Sequence, residues 1–384
     1  MSITSHDALI ASLTAGRFRS IEGSKLTAPV HTAGGWHLLS GLAGNPPAAT
    51  FPGTDLVWSA CDENNGDGTT IIGPPHGGAV AGSGYTKHLS AVGAMMVAAA
   101  GAPWQAKLVD LIGYYRLSTT NVTGTGSRVL VNAQTFTASS SSGLLLTFAN
   151  DFKSGTVVRF SSTTTLPTGL TAGTDYWLVR VSATTARVAT SYANYVAGTV
   201  VAYTDAGTGT HTMTARAGRY GGVGVQAGFV VQTAPTGGGP NLTASSYTNA
   251  AGTASRAFTS SPSMGAAADA YATRIIHSGN AAGRYGAFLP LQGGDTGILS
   301  VESFTFSGGT AYTGSGVLAL CLFKPLGVDL MLPATGVWSE KDLINQIPSM
   351  PIVEDGACLA WMVFGTGATT TASPFTSRVD VVWG

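Results

Sequence analysis

Gly316-Val317-Leu318-Ala319-Leu320-Cys321-Leu322-Phe323-Lys324-Pro325 sets the reading of the whole chain. Val317 to Phe323 is unbroken apolar sequence, closed by Lys324 and Pro325. It is far shorter than the roughly 20 apolar residues that a membrane span needs. Glycine-rich turn sequence precedes it and a proline ends it. An apolar run bounded in this way reads as a β-strand buried on both faces. Burying each of its large side chains is worth about 1.5–3 kcal/mol. The expectation is that both outer parts of the chain pack around this strand as one β-sandwich.

Composition narrows the classes. A length of 384 residues allows one large β domain or two domains. Charged residues make up only 10%, against about 25% in typical domains. The 52 glycines are about twice the usual share, so turns are many and long helices few. Lys+Arg and Asp+Glu both number 19, with no charge run. Such a chain has little charge with which to build the basic face of a nucleic-acid binder or a polybasic membrane patch. Neither nucleic acid nor membrane is an expected partner. Near-zero net charge favours association. Cys61, Cys321 and Cys358 are odd in number and fit no zinc spacing, and they read as buried free thiols. The N-terminus has no basic segment, and Asp7 stands where the apolar core of a signal peptide would start, so no such peptide is expected.

Along the chain, residues 5–15 read as a helix capped by Ser5, with Leu9, Ile10 and Leu13 as its apolar face and Gly16 as its end. Trp36–Leu39 and Leu56–Trp58 read as short strands, and Leu108–Leu117 as a strong one. From about Thr119 to Thr214 the composition shifts to Thr, Ser, Gly and Ala in short alternating runs. This is the mark of an inserted module. Its expected strands are Gly143–Phe148, Thr156–Ser161, Tyr176–Ser182, Arg187–Thr190, Val200–Tyr203 and His211–Thr214, as in a small β-barrel or sandwich. The expected division is residues 1–125 with 215–384 as the main domain and 126–214 as the insert.

After the insert, Gly228–Val231 resumes the large-domain pattern. Asn241–Thr248 and Thr253–Phe258 read as a hairpin about a four-residue turn. In Gly297–Phe306 the apolar phase switches near Glu302, which predicts a bulge there. Ser339 reads as the opening of a second short helix, with Asp342 completing a partial capping box and Pro348 as its stop. Ala357–Phe364 and Val379–Trp383 are further strands. The fold class is all-β: a jelly-roll-like sandwich interrupted by a small β domain, with two short helices.

Asp62 to Gly68 invites a calcium reading, but Gly66 and Gly73 stand where the loop needs ligands, so a solvated turn is expected. Gly222, Val223, Gly224 and Gly228 miss the dinucleotide spacing by one residue and read as a turn. His6, His31, His37, His76, His88, His211 and His277 show no ligand pairing. Tyr192 and Tyr195 offer either sugar-stacking rings or ordinary core packing. No catalytic, cofactor-binding or metal-binding residue is assigned, no cofactor is expected, and the chain is read as non-enzymatic.

The insert resembles a small β module that recurs in structural proteins of tailed bacteriophages. The resemblance lies in Phe160–Ser162, Leu166-Pro167-Thr168-Gly169-Leu170-Thr171-Ala172-Gly173-Thr174-Asp175-Tyr176-Trp177-Leu178-Val179, Ala186–Ser191 and Asp205–Thr212. The outer parts resemble a family of phage virion proteins at Met1–Ile10, Leu108–Tyr115, Tyr247–Asn249, Tyr285–Gln292 and Val353–Ala357. The resemblance implies a virion structural protein, made in the host cytoplasm and resident on the phage particle. A capsid decoration or cement protein is the leading expectation. It would be a homotrimer with the major capsid protein as partner, and the insert would be free for host-surface contact. A tail fibre, spike or baseplate adhesin is the alternative.

Overall fold

The structure is a computed structural model. It describes residues 3–26, 35–63, 73–97, 103–118, 121, 126–139, 145–237, 239–259, 273–276, 286–309, 312–313, 315–347, 349–365 and 374–384. The expected central strand is present and longer than its apolar run, spanning Val317–Leu332. Its side chains serve three cores. Leu318, Leu320 and Leu322 face one, Ala319, Cys321 and Phe323 a second, and Leu326, Val328, Leu330 and Leu332 a third. From Leu318 to Phe323 no residue is more than 1% exposed. Beyond Lys324 the pattern becomes strict alternation, because one face meets solvent there.

Lys324 and Pro325 do not end this strand. Pro325 still pairs with Val109, and the ladder then jumps to Val328 opposite Leu108. Leu326 and Gly327 form the bulge between, with Gly327 at φ +72. A proline lacks the ladder donor and is tolerated at such an irregularity.

The partner of this strand is Trp104–Ser118, which extends the expected Leu108–Leu117 at both ends. A ladder runs from Val317–Leu332 through Gln226–Thr233, Arg274–Ile276, Gly35–Leu38 and Leu359–Gly365 to Trp104–Ser118. Because the two longest strands also pair with each other, this ladder closes on itself. Cys61, Cys321 and Cys358 form no disulfide among the described residues and are buried in the core that the closed ladder shares with Trp36, Tyr114 and Met362.

Two layers cover this body. A sheet of Ser339–Asp342, Lys87–Met96, Phe375–Trp383, Phe18–Lys25 and Gly44–Asn45 packs Leu89, Val92, Val379 and Val381 against Leu108, Val328 and Val363. On the other side, Pro240–Asn249, Ile298–Gly309 and Gly126–Val129 form a three-stranded sheet, packing Leu242, Phe304 and Phe306 on Leu320 and Phe229. The bulge near Glu302 is present: Tyr247 pairs with Val301 and Ser246 with Ser303, so Glu302 is the extra residue.

Residues 133–216 form a closed six-stranded barrel in the order 157–162, 175–182, 185–189, 145–148, 133–139, 211–216. Phe136, Phe160, Tyr176, Leu178, Val188 and Met213 fill it, with the Phe136 and Phe160 rings edge to face at 5.1 Å. The chain enters and leaves at one point, where the Ala215 amide donates to the Asn132 carbonyl at 2.6 Å. The protein is therefore all-β, a layered sandwich carrying a small inserted barrel.

Several local expectations change. The first helix is His6–Thr14, and Ser5 caps it by accepting from the Ala8 amide at 3.2 Å. Its buried stripe is Leu9 and Ser12, whereas Ile10 is 60% and Leu13 44% exposed. Ser12 turns inward because its hydroxyl donates to the Ala8 carbonyl at 2.9 Å. Ser339 opens a strand, Ser339–Asp342, which pairs with Ala91–Ala94. A 3-10 turn, Ile344–Gln346, follows, and the Ile344 amide donates to the Asp342 carboxylate at 2.8 Å. Pro348 lies outside the described residues. The second α-helix among the described residues is Tyr192–Val196, in the insert. Val200–Tyr203 is irregular chain, and Ala133–Ser139 supplies a barrel strand in its stead. Thr253–Phe258 forms no regular strand; it meets Pro240–Asn249 through the Tyr247–Arg256 bridge, the Asn249 amide on the Thr253 carbonyl at 3.0 Å and the stacked Tyr247 and Phe258 rings.

Candidate ligand cleft at the barrel–sandwich junction

The barrel rests on the body through close contacts that small residues permit. Tyr192 lies over Gly356, where a Cβ would come within 2.5 Å of the ring. A Cβ at Gly155 would come closer still to the Asp62 carboxylate. Ala193, on the short Tyr192–Val196 helix, meets Gly82 on the 3-10 turn Ala81–Ser83. The strand that leaves the barrel runs directly into Arg219, which is driven into the body. Its guanidinium donates to both Asp110 carboxylate oxygens at 2.8 Å, to the Cys61 carbonyl at 2.8 Å and to the Leu111 carbonyl at 3.0 Å. Asp110 is fully buried and also accepts from the Cys358 amide at 2.8 Å. A buried pair of this kind holds only because every remaining polar atom is engaged.

A second buried network lies beside it. Lys87 reaches Asp355 at 3.0 Å and Glu63 at 3.6 Å, and donates to the Gly78 carbonyl at 2.6 Å. It also donates to His76 Nδ1 at 3.0 Å. His76 Nε2 in turn donates to the Ala357 carbonyl at 2.8 Å, which makes it the neutral tautomer. Burial and then the Lys87 charge push the His76 pKa below its ordinary value, in keeping with that tautomer. Asp355 accepts from the Val80 and Ala81 amides and so fixes the turn that meets the barrel helix.

Between these fixings lies a cleft of about 500 Å³. Its barrel wall includes Val157, Trp177, Ala193 and Arg216, and its body wall includes Tyr85, Ile352 and Glu354. Trp177 is partly exposed, while the Arg216 side chain is 12% exposed. Burial lowers the Arg216 pKa and raises that of Glu354. The volume falls within the range of about 300–1,000 Å³ typical of small-ligand sites.

The residues weighed in the sequence are placed differently. Asp62 and Glu63 are buried, at 2% and 8% exposure, and are not part of a solvated turn. Residues 64–72 lie outside the described residues. Among the described residues no three His, Cys, Asp or Glu side chains are grouped to hold a metal ion. Tyr192 and Tyr195 are buried against Ala189 and each other, in ordinary core packing. His37 and Thr273 share a hydrogen bond in the body, and His211 bonds Ser162 and the Ala206 carbonyl on the barrel. His31 and His277 lie outside the described residues. The cleft was missed because its walls come from segments far apart in sequence. The available signal was Trp177, whose neighbours Tyr176 and Leu178 claim the barrel interior and so leave it facing out.

No protein-family model matches this sequence, and no curated protein does. Among solved structures, one of infectious bursal disease virus Gt strain is similar at 11% identity over 95% of this chain and 80% of that one, with a TM-score of 0.17. The VP2 subviral particle of the same virus is similar at 11% identity over the same shares, with a TM-score of 0.19. At these scores the likeness carries no argument about this chain.

Proposed function

We propose that this chain is a non-enzymatic virion structural protein. It binds the outside of a tailed-phage head as a decoration protein, with the barrel as an outward knob. The proposal rests on the resemblance of the insert and outer parts to phage virion proteins. The observation that carries it furthest is how the buried charges are spent. Lys87, His76, Glu63 and Asp355 engage one another within the body, as do Arg219 and Asp110, and Asp355 also fixes the turn whose Gly82 meets Ala193 of the barrel. A rigid, charge-poor body with a stapled knob suits a load-bearing surface part. Apolar side chains exposed at Ile10, Leu13 and Phe18, and again at Met331, Val337 and Trp338, offer contact area for the major capsid protein or for neighbouring copies in a trimer.

Quantitative mass spectrometry of purified particles tests the proposal. Decoration predicts a copy number on the scale of the shell subunits, and heads that are intact but more fragile once the protein is stripped. A few copies per particle, with loss of adsorption and unchanged heads, would overturn it. That result would support a tail-associated adhesin, the reading that the open cleft beside the barrel favours.

A further inference from the structure

Trp177, Val157 and Arg216 stand side by side on three adjacent barrel strands, since Val157 pairs with Trp177 on one flank and with Arg216 on the other. Directly opposed residues project from one face of a sheet. One step along, Tyr176, Val158 and Ala215 fill the barrel core. The row Trp177–Val157–Arg216 therefore faces away from the barrel interior and forms one wall of the cleft. The exposed Ile352 and the partly exposed Tyr85 and Glu354 stand on the body wall.

The charge on this row is incompletely satisfied. Arg216 Nη1 is 3.7 Å from Asp175, an acid that Arg159 engages more closely. Arg216 Nε is buried with no hydrogen-bond partner among the described residues. Across the cleft, burial disfavours the Glu354 carboxylate, while a hydrogen bond from the Tyr220 backbone and then the Arg219 charge favour it; Asp110 already holds that guanidinium by two hydrogen bonds.

These walls select by chemistry. A strongly anionic ligand meets the Glu354 carboxylate, and a strongly cationic one meets the Arg216 guanidinium. A purely apolar ligand leaves Arg216 Nε without a partner and buries the Glu354 carboxylate further, which is costly. A neutral sugar ring has a C–H face that lies on an indole, and hydroxyls that donate to a carboxylate and accept from a guanidinium. We propose that the junction cleft binds a neutral saccharide, with Trp177 as stacking platform, Glu354 as hydroxyl acceptor and Arg216 as hydroxyl donor. This site holds for a protein on either the head or the tail of a particle, so it does not rest on the decoration reading.

Saturation-transfer NMR on the full chain tests it. The probes are glucose, galactose, mannose, rhamnose, N-acetylglucosamine and their disaccharides, each at millimolar concentration. Glucuronate and glucosamine are the charged controls. Transfer from at least one neutral sugar is expected, with affinity reduced about tenfold or more by Trp177→Ala and by Glu354→Gln. Glu354→Gln keeps the side-chain shape, so it supplies the reading even if Trp177→Ala fails to fold. Ile352→Trp, at the exposed cleft wall, blocks entry without touching the proposed contacts. Silence from every neutral sugar would overturn the proposal. So would stronger binding of a charged control, or binding unchanged in Glu354→Gln and Ile352→Trp.

Discussion

Asp295 holds two turns together through three side-chain donors. Arg256 Nε lies at 3.0 Å, Tyr247 Oη at 2.6 Å and Asn249 Nδ2 at 2.7 Å, and the carboxylate side chain is only 3% exposed. Arg256 above all, then Tyr247 and Asn249, lowers its pKa from 3.8 to about 2. The folded state therefore prefers the charged carboxylate more than the unfolded chain does. That preference stabilises the fold in full above pH 3.8 and fades as pH falls towards about 2. Asp295→Asn should lower the urea midpoint at neutral pH, and the difference from the native chain should shrink across this acid window. A difference that is the same at pH 2 and pH 7 would count against the carboxylate as its source. None of this was legible in Gly293-Gly294-Asp295 as a sequence. Its donors Tyr247, Asn249 and Arg256 lie in the segment that sequence reading treats as a plain hairpin.

At the scale of elements, apolar pattern was informative wherever a strand's two faces differ from its ends. Val317–Phe323 and Leu108–Leu117 were legible because seven and ten residues of dense apolar sequence admit no solvent face. The phase switch at Glu302 was legible because a bulge must shift alternation. Boundaries failed where a long-range partner decides. Pro325 reads as a stop, yet Val109 opposite it and the bulge after it carry the strand on to Leu332. Ser339–Asp342 reads as a capping box, yet the open edge of Lys87–Met96 recruits it as a strand. Leu320 is 1% exposed within the core containing Phe229 and Leu318. Leu320→Ala should therefore cost about 2–5 kcal/mol in denaturant unfolding. Met331→Ala, on the same strand but 59% exposed, should change stability by about 0.5 kcal/mol or less.

For the whole molecule, the insert was visible as a change in composition, but its attachment was not. Arg219–Asp110, Tyr192 over Gly356 and Asp355 on the Ala81 amide bring together positions more than a hundred residues apart, with no periodicity to announce them. The same is true of the cleft between barrel and body. Since the Ala215 amide meets the Asn132 carbonyl, excising residues 133–214 and joining those two ends should leave a folded body. Its melting temperature should fall, because Trp58 and Ile112 lose the barrel that covers the cleft. Size-exclusion chromatography and a circular-dichroism melt read this directly. Loss of all soluble protein would show that barrel and body fold only together.

The organisation described here makes the paired strands Trp104–Ser118 and Val317–Leu332 the part of the chain that opens last, since three cores must separate before their amides meet water. Native-state hydrogen exchange, resolved by peptide, measures this. Leu318–Phe323 and Leu111–Tyr115 should exchange together and slowest, at the rate of global unfolding. Exchange of Leu318–Phe323 as fast as that of the outer strand Phe18–Lys25 would contradict the account.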